Sequence, residues 1–428
     1  MTRRSTRREF LATTAATGAG LWLGSCASHA TRQDSPNGRL DLGVIGVGDR
    51  GRANLDAVAS QNVVALCDVD EGFLAAAAER FPMAARYRDF RRMLEREKLD
   101  AVVVSTPDHT HAVAAKAALD SGLSVYCEKP LTHSVHEARI ITEAAARAGV
   151  VTQMGTQIHA GSNYRRVVEL VRAGVIGEVE EVHVFINKTW SASALPEGEH
   201  PVPEHLDYDL WTGPARKLPF HTEYHPARWR RYWNFGGGTL ADMGCHYLDL
   251  PFWALELRYP VSVEAEGPPP HPDATPHWMH VTWRFPARGE LSPVDLHWYD
   301  GGRRPELLEE MGVDWRNGAL FLGSKGSLLA DYDRHVLLPA EDFAGFEPPA
   351  PSIPESIGHH REWIEACKGN GRTTCDFAYS GPLTEAVLLG AVAYRTGVKL
   401  AWDAVAMETG VEAADALLRR EYRAGWKL

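Results

Sequence analysis

Apolar and polar positions follow two different rhythms along this chain. Between residues 40 and 157, short uninterrupted apolar runs alternate with longer stretches of helical spacing. Leu40–Ile45, Val63–Cys67, Asp100–Val104 and Ser124–Cys127 are such runs. A continuous apolar run marks a strand buried on both faces, and its alternation with helices predicts a parallel sheet. Helices are expected over Arg52–Ala59 and Ala112–Asp120. From about residue 158 the rhythm changes. A helix over Asn163–Ala173 precedes strands at 179–186, 278–285, 294–299, 318–322 and 327–331. Strands grouped among helices predict an open, mostly antiparallel sheet covered on one face. Thr384–Tyr394 and Ala404–Arg419 carry Leu, Val and Ala at helical spacing and read as packing helices.

The first strand runs directly into Gly46-Val47-Gly48-Asp49-Arg50-Gly51, with a helix behind it. A G-x-G-x-x-G between strand and helix lets backbone N–H groups approach a pyrophosphate at the helix N-terminus. Gly46, Gly48, Asp49, Arg50 and Gly51 are therefore candidate cofactor contacts. Asp68 closes the second strand, 22 residues after Gly46. A carboxylate there can accept both ribose hydroxyls and repels a 2′-phosphate, so NAD is expected rather than NADP. The next two strands end in Thr106-Pro107-Asp108-His109-Thr110-His111 and in Glu128-Lys129-Pro130. Ligands of doubly wound sheets collect at such strand ends. The expected fold class is α/β: a Rossmann dinucleotide-binding domain over 39–157, then an α+β substrate-binding and oligomerisation domain over 158–428.

Residues 236–249 read GGGTLADMGCHYLD. Thr239 is a natural N-cap, and Asp242 and His246, four apart, share a helix face. Asp249 is expected on that face too. Oxidising a secondary alcohol releases a hydride and a proton. His246 suits the base, because imidazole titrates near neutrality. Lys129 suits stabilisation of the developing alkoxide, and Pro130 predicts a sharp turn that aims it. The stretch 187–235 reads as a lid or pocket wall rich in Trp, His and Arg. His225, Trp229, Arg230 and Trp233, together with His246, are candidate substrate contacts, since a sugar presents one apolar face and a hydroxylated edge. His277, His280 and His297 lack local Cys or acidic partners, so no metal is expected.

The chain has 428 residues, 44% hydrophobic, with formal net charge −11. That acidity argues against nucleic acid and against an anionic membrane surface as partners. The six cysteines show no C-x-x-C pair and read as buried hydrophobes, apart from Cys26. Residues 1–30 carry the opposite charge balance. Arg7-Arg8 followed by Phe10, Leu11 and an apolar run to Leu23 form a twin-arginine export signal. Leu23-Gly24-Ser25-Cys26 resembles a lipobox that would place a lipid anchor on Cys26; cleavage after Ala30 is the alternative. Residues 31–38 read as a tether. The expected location is periplasmic, or the outer face of a membrane, reached through the twin-arginine translocase.

TPDHTH at 106–111, YCEKPLTHSVHEA at 126–138, GTQ at 155–157 and the 236–249 segment together resemble the glucose–fructose oxidoreductase/inositol dehydrogenase (Gfo/Idh/MocA) family. The resemblance covers residues 40–428. It implies bound NAD, with Lys129, Asp242 and His246 as the catalytic group and His246 as acid/base. It also implies that Glu128 and Gln157 lie near the nicotinamide, and that Thr106, Pro107, Asp108 and His111 lie around the ribose and pyrophosphate. A carbohydrate substrate and a dimer or tetramer are further implications. Three activities are open at this point: a sugar or glycoside dehydrogenase, a redox-neutral NAD-dependent glycoside-cleaving enzyme, and a non-enzymatic sensor.

Overall fold

The computed structural model describes residues 38–428. The twin-arginine stretch, the lipobox at Cys26 and tether residues 31–37 lie outside the described residues.

The first sheet has six parallel strands: β1 (Asp41–Ile45), β2 (Asn62–Cys67), β3 (Ala85–Tyr87), β4 (Ala101–Val104), β5 (Ser124–Glu128) and β6 (Thr152–Gly155). Their order is β3-β2-β1-β4-β5-β6. The chain reverses its direction of winding between β1 and β4, and a crevice opens there above the strand ends. β4 is buried at every position, as its unbroken valine run requires. Helices Asp49–Ala57, Glu71–Arg80, Phe90–Arg96, Asp108–Asp120 and Val135–Ala148 make the connections. Local chemistry sets their ends. Asp70 accepts from the N–H groups of Gly72 and Phe73. Ser134 and Glu137 form a reciprocal capping box.

The second sheet has eight strands: β7 (Val179–Ile186), β8 (Ser262–Glu266), β9 (His280–Phe285), β10 (Val294–Tyr299), β11 (Asn317–Gly323), β12 (Gly326–Ala330), β13 (His335–Leu338) and β14 (Leu400–Ala401). The order is β13-β12-β11-β7-β10-β9-β8-β14, an open sheet. Only β7 and β10 run parallel; the other pairs are antiparallel. Alternation decides which face is covered. Trp283 on β9 is fully buried, and its indole donates to the Ala386 carbonyl (2.8 Å) on the helix Phe377–Thr396. A Cβ on Gly390 of that helix would stand 2.8 Å from Trp283, so a glycine permits this close approach.

The structure moves several expected boundaries. The helix expected from Ala112 begins at Asp108, with Pro107 as its N-cap residue. Pro107 needs no N–H there, and Asp108 complements the helix dipole. The expected helix Ala404–Arg419 shrinks to Glu412–Leu417, because 403–408 closes into a turn held by the Asp403 carboxylate. The expected Asp242–His246–Asp249 face is broken. One helix ends at Tyr247 and a second begins at Asp249. Pro251 has no N–H for the Tyr247 carbonyl, and its ring crowds that carbonyl. Thr239 does not cap its helix; its hydroxyl accepts from the Trp190 N–H instead (2.8 Å).

A buried ion pair away from the cleft also ties the two domains together. Arg139 of the helix Val135–Ala148 donates twice to Glu385 of the helix Phe377–Thr396, at 2.8 and 2.9 Å. The Glu385 side chain is 1% exposed. Burial pushes its carboxyl pKa up, and the guanidinium opposes that shift. Arg139→Met strands this carboxyl without a partner. Its unfolding free energy in urea at neutral pH should fall by about 3–5 kcal/mol, and Arg139→Met with Glu385→Leu should recover most of the loss. A single-variant loss below about 1 kcal/mol, the range of an exposed pair, would contradict this.

Candidate active site

A cleft of about 650 Å³ opens over the carboxyl ends of β1, β2, β4 and β5. Gly46, at φ +83°, turns the chain out of β1. A Cβ there would stand 2.6 Å from the Ser105 carbonyl, and one on Gly51 only 2.1 Å from the Gly46 carbonyl. Gly46, Gly48, Asp49 and Arg50 line the cleft. Gly51 does not line it; it lies buried beneath, where its missing side chain lets helix and turn close together. Asp68 lines the cleft at the end of β2. Its carboxylate accepts from the Val47 N–H (2.8 Å) and the Asp70 N–H (3.0 Å), which fix its direction. Burial pushes its pKa up against those two donors.

Thr106, Pro107, Asp108, His111, Glu128, Lys129 and Gln157 also border the cleft. The Thr106 hydroxyl is buried without a partner among the described residues, a donor available to a ligand. Glu128 accepts from Arg50 (3.0 Å), Asn54 (2.9 Å) and Gln157 (2.8 Å). Burial alone would raise its pKa; Arg50 and Lys129 outweigh burial and hold it below the ordinary value. The His111 ring lies between the carbonyls of Thr106 (2.7 Å) and Pro130 (2.8 Å); burial favours its neutral form, whose single N–H donates to one of the two. His109 is fully buried against the carbonyls of Trp211 and Phe235. Both rings turn inward because the helix begins at Asp108.

Lys129 follows β5, at a cis peptide bond to Pro130. Its ammonium donates to the Asp242 carboxylate at 2.8 Å. Asp242 also accepts from Lys188 (2.8 Å), the Trp190 indole (2.7 Å) and Arg230 (3.2 Å). Burial opposes its charge, but Lys129, Arg230 and Lys188 hold its pKa well below the carboxylate range. His246 lies one helical turn on, at the cleft wall. Burial, then the Lys129 cation, lowers its pKa to about 3. The imidazole is thus neutral at physiological pH, and its Nδ1 is buried without a partner among the described residues. Asp108 shifts the other way, to about 7, mainly through burial.

The expected substrate contacts separate. Arg230 and Trp229 border the cleft, with the guanidinium 4.2 Å from the indole centroid. His225 borders it at the other end, hydrogen-bonded to Asp70 (2.9 Å) and beside Phe73. That places it by Asp68, away from Asp242. Trp233 is not in the cleft. Its indole donates to the His271 carbonyl and its ring packs near Tyr394 and Arg395. Trp211 and Trp229 form a local aromatic core with Tyr208, Phe220, Tyr224 and Phe235, whereas Trp233 joins the main core, so side-chain type alone did not separate wall from core. Asp249 points away as well, accepting from Tyr379 and paired with His159, fully buried. Lys188 and Trp426 were not anticipated at the cleft. Lys188 follows β7 directly, and strand ends were the available signal. Trp426 reaches the cleft edge from the C-terminal tail, where Arg91 lies over its ring at 4.5 Å.

With this geometry in place, the comparisons are specific. Residues 40–156 match the oxidoreductase family with an NAD-binding Rossmann fold, and 162–292 match that family's C-terminal α/β domain. The chain belongs to the Gfo/Idh/MocA oxidoreductase family. Its cofactor is NAD. The inositol 2-dehydrogenase of Salmonella typhimurium is 28% identical over 168 residues, 38% of this chain and 49% of that protein. A glycosyl hydrolase family 109 protein of Solibacter usitatus is 32% identical over 228 residues, 48% of this chain and 52% of that one. The chain thus spans about half the length of the curated relatives it matches. The WlbA dehydrogenase of Bordetella pertussis, solved with NADH and UDP-GlcNAcA, shares the fold. Its TM-score is 0.60 at 19% identity, over 85% of this chain and 99% of that one.

The residues fit the dinucleotide. The glycine turn leaves no room for a side chain, the Thr106 hydroxyl has no partner of its own, and Asp68 is fixed at the end of β2. The wild type should bind NADH more tightly than NADPH, and Asp68→Ser should narrow that ratio. Direct fluorescence titration of both nucleotides measures it. An unchanged ratio would remove Asp68 from cofactor choice.

Proposed function

We propose that this protein is an NAD-dependent dehydrogenase acting on a secondary hydroxyl of a sugar or glycoside. The observation that carries the reading is the convergence of Lys129, Asp242 and a neutral His246 at one wall of the nucleotide cleft. NAD⁺ supplies the hydride acceptor when bound. The Lys129 ammonium donates to the substrate oxygen and stabilises the charge that grows there. His246, neutral and with a free ring nitrogen, accepts the hydroxyl proton. Asp242 holds Lys129 and Arg230 in place and balances their charge. Trp229 and Arg230 offer an apolar face and a donor edge to the ring, and His225 belongs to the adenosine end.

A redox-neutral glycoside-cleaving reaction is the second reading, favoured by the Solibacter usitatus relative. The same base would serve oxidation, elimination and re-reduction. Export by the Arg7-Arg8 signal, with a lipid on Cys26 and assembly as a dimer or tetramer, completes the proposal. The twin-arginine route carries folded proteins, so NAD would be loaded before export.

The test is a glycoside panel read by NADH absorbance and by product mass, on protein purified without added nucleotide. Denatured, that protein should release near-stoichiometric NAD(H). A keto product with NADH supports the dehydrogenase, and a cleaved glycoside without net NADH supports the second reading. Lys129→Ala and His246→Ala should each lower turnover by about 10²-fold or more while retaining NAD-induced thermal stabilisation. Turnover of either variant near the wild-type rate, or no reaction across the panel, would overturn the reading.

A further inference from the structure

The sheet face opposite the helix Phe377–Thr396 carries a second convergence of polar groups, unrelated to the nucleotide cleft. β7 and β10 run parallel with His183 opposite His297 and Glu181 opposite Asp295. Glu181 and His183, two apart on β7, therefore share the face that holds His297. One oxygen of Glu181 lies 2.9 Å from His183 Nε2 and 3.4 Å from His297 Nε2. All three ligand atoms fall within 4.8 Å of one another. With metal–nitrogen and metal–oxygen bonds of about 2.0–2.2 Å, the edge of a tetrahedral zinc site is about 3.3–3.6 Å. The 3.4 Å contact matches that edge, the 2.9 Å contact is shorter by a few tenths of an ångström, and the two imidazole nitrogens lie within 4.8 Å of each other.

The outer contacts support ligation. His183 Nδ1 lies 3.2 Å from the Tyr299 hydroxyl, and His297 Nδ1 lies 3.0 Å from the Thr282 hydroxyl. Donation of each Nδ1–H to a hydroxyl oxygen leaves both Nε2 lone pairs aimed at the Glu181 carboxylate, the arrangement metal-binding imidazoles use. The two rings are stacked, 4.7 Å apart. His280 on β9 lies beside the cluster without belonging to it. Its ring centroid lies 5.7 Å from that of His297, and its Nε2 is buried with no partner among the described residues. A buried imidazole nitrogen with nothing to bond, beside two others converging on a carboxylate, is left unexplained by packing.

We propose that Glu181, His183 and His297 bind a divalent zinc-class cation on the outer face of the second sheet, with water completing the coordination. Imidazole and carboxylate ligands favour zinc or a neighbouring first-row ion over calcium or magnesium. The local sequence hid the site. His277 and His280 belong to one strand region, whereas the acidic ligand comes from β7, about a hundred residues earlier. His277 itself is exposed and precedes β9.

The experiment is a zinc titration of the purified, chelator-stripped full chain against a chromophoric competitor. The parent should hold one tight equivalent per chain. His183→Gln with His297→Gln should abolish that equivalent. Glu181→Gln, at a half-exposed position that tolerates change, should weaken it at least tenfold, since even outer-shell losses cost about 10–100-fold. His277→Gln should bind like the parent. Thermal stabilisation by NAD confirms that each variant is folded, and if the double variant is not, Glu181→Gln decides. No stoichiometric zinc in the parent, or unchanged affinity in Glu181→Gln, would overturn the site.

Discussion

Asp242 brings one buried negative charge into contact with three cations and an indole N–H drawn from separate parts of the chain. Lys129 comes from the end of β5, Lys188 and Trp190 from the segment after β7, and Arg230 from the turn before the helix that carries Asp242 itself. A carboxylate this buried is costly unless each oxygen is saturated by donors. Here each oxygen accepts two. The contacts span both sheets, so the charge that fixes Lys129 also closes the second domain against the first.

Two consequences follow for the cleft. The Lys129 cation is held where a reacting oxygen would lie, and burial, with that cation beside it, keeps the neighbouring His246 unprotonated. Lys129 can thus act as an electrophile while His246 acts as a base. The nucleotide end depends on different physics. There the glycine turn and the fixed Asp68 carboxylate act through shape and backbone donors, with little reliance on the Asp242 cluster.

The parallel sheet was legible in the sequence because doubly buried strands leave unbroken apolar runs, and the glycine turn because its spacing has a mechanical reason. Five strands of the second sheet were legible, whereas the short β8, β13 and β14 were not. The sheet's pairing was not legible either, since the parallel β7–β10 contact joins segments more than a hundred residues apart. Trp233 and Asp249 were misplaced for local reasons. An aromatic in a polar loop reads alike whether it faces a ligand or, as Trp233 does, the main core, and a helix face cannot be extended across Pro251. Lys188 was missed because a lone cation after a strand has no pattern until its carboxylate partner is in place.

The measurement that bears most directly on this account is the behaviour of Asp242→Asn. The amide keeps the shape and removes the charge that holds Lys129, Lys188 and Arg230. The account predicts turnover lowered by about 10²-fold or more, with NADH affinity changed by no more than a few-fold, because the nucleotide end is built separately. Turnover close to wild type, or loss of NADH binding in step with turnover, would contradict it.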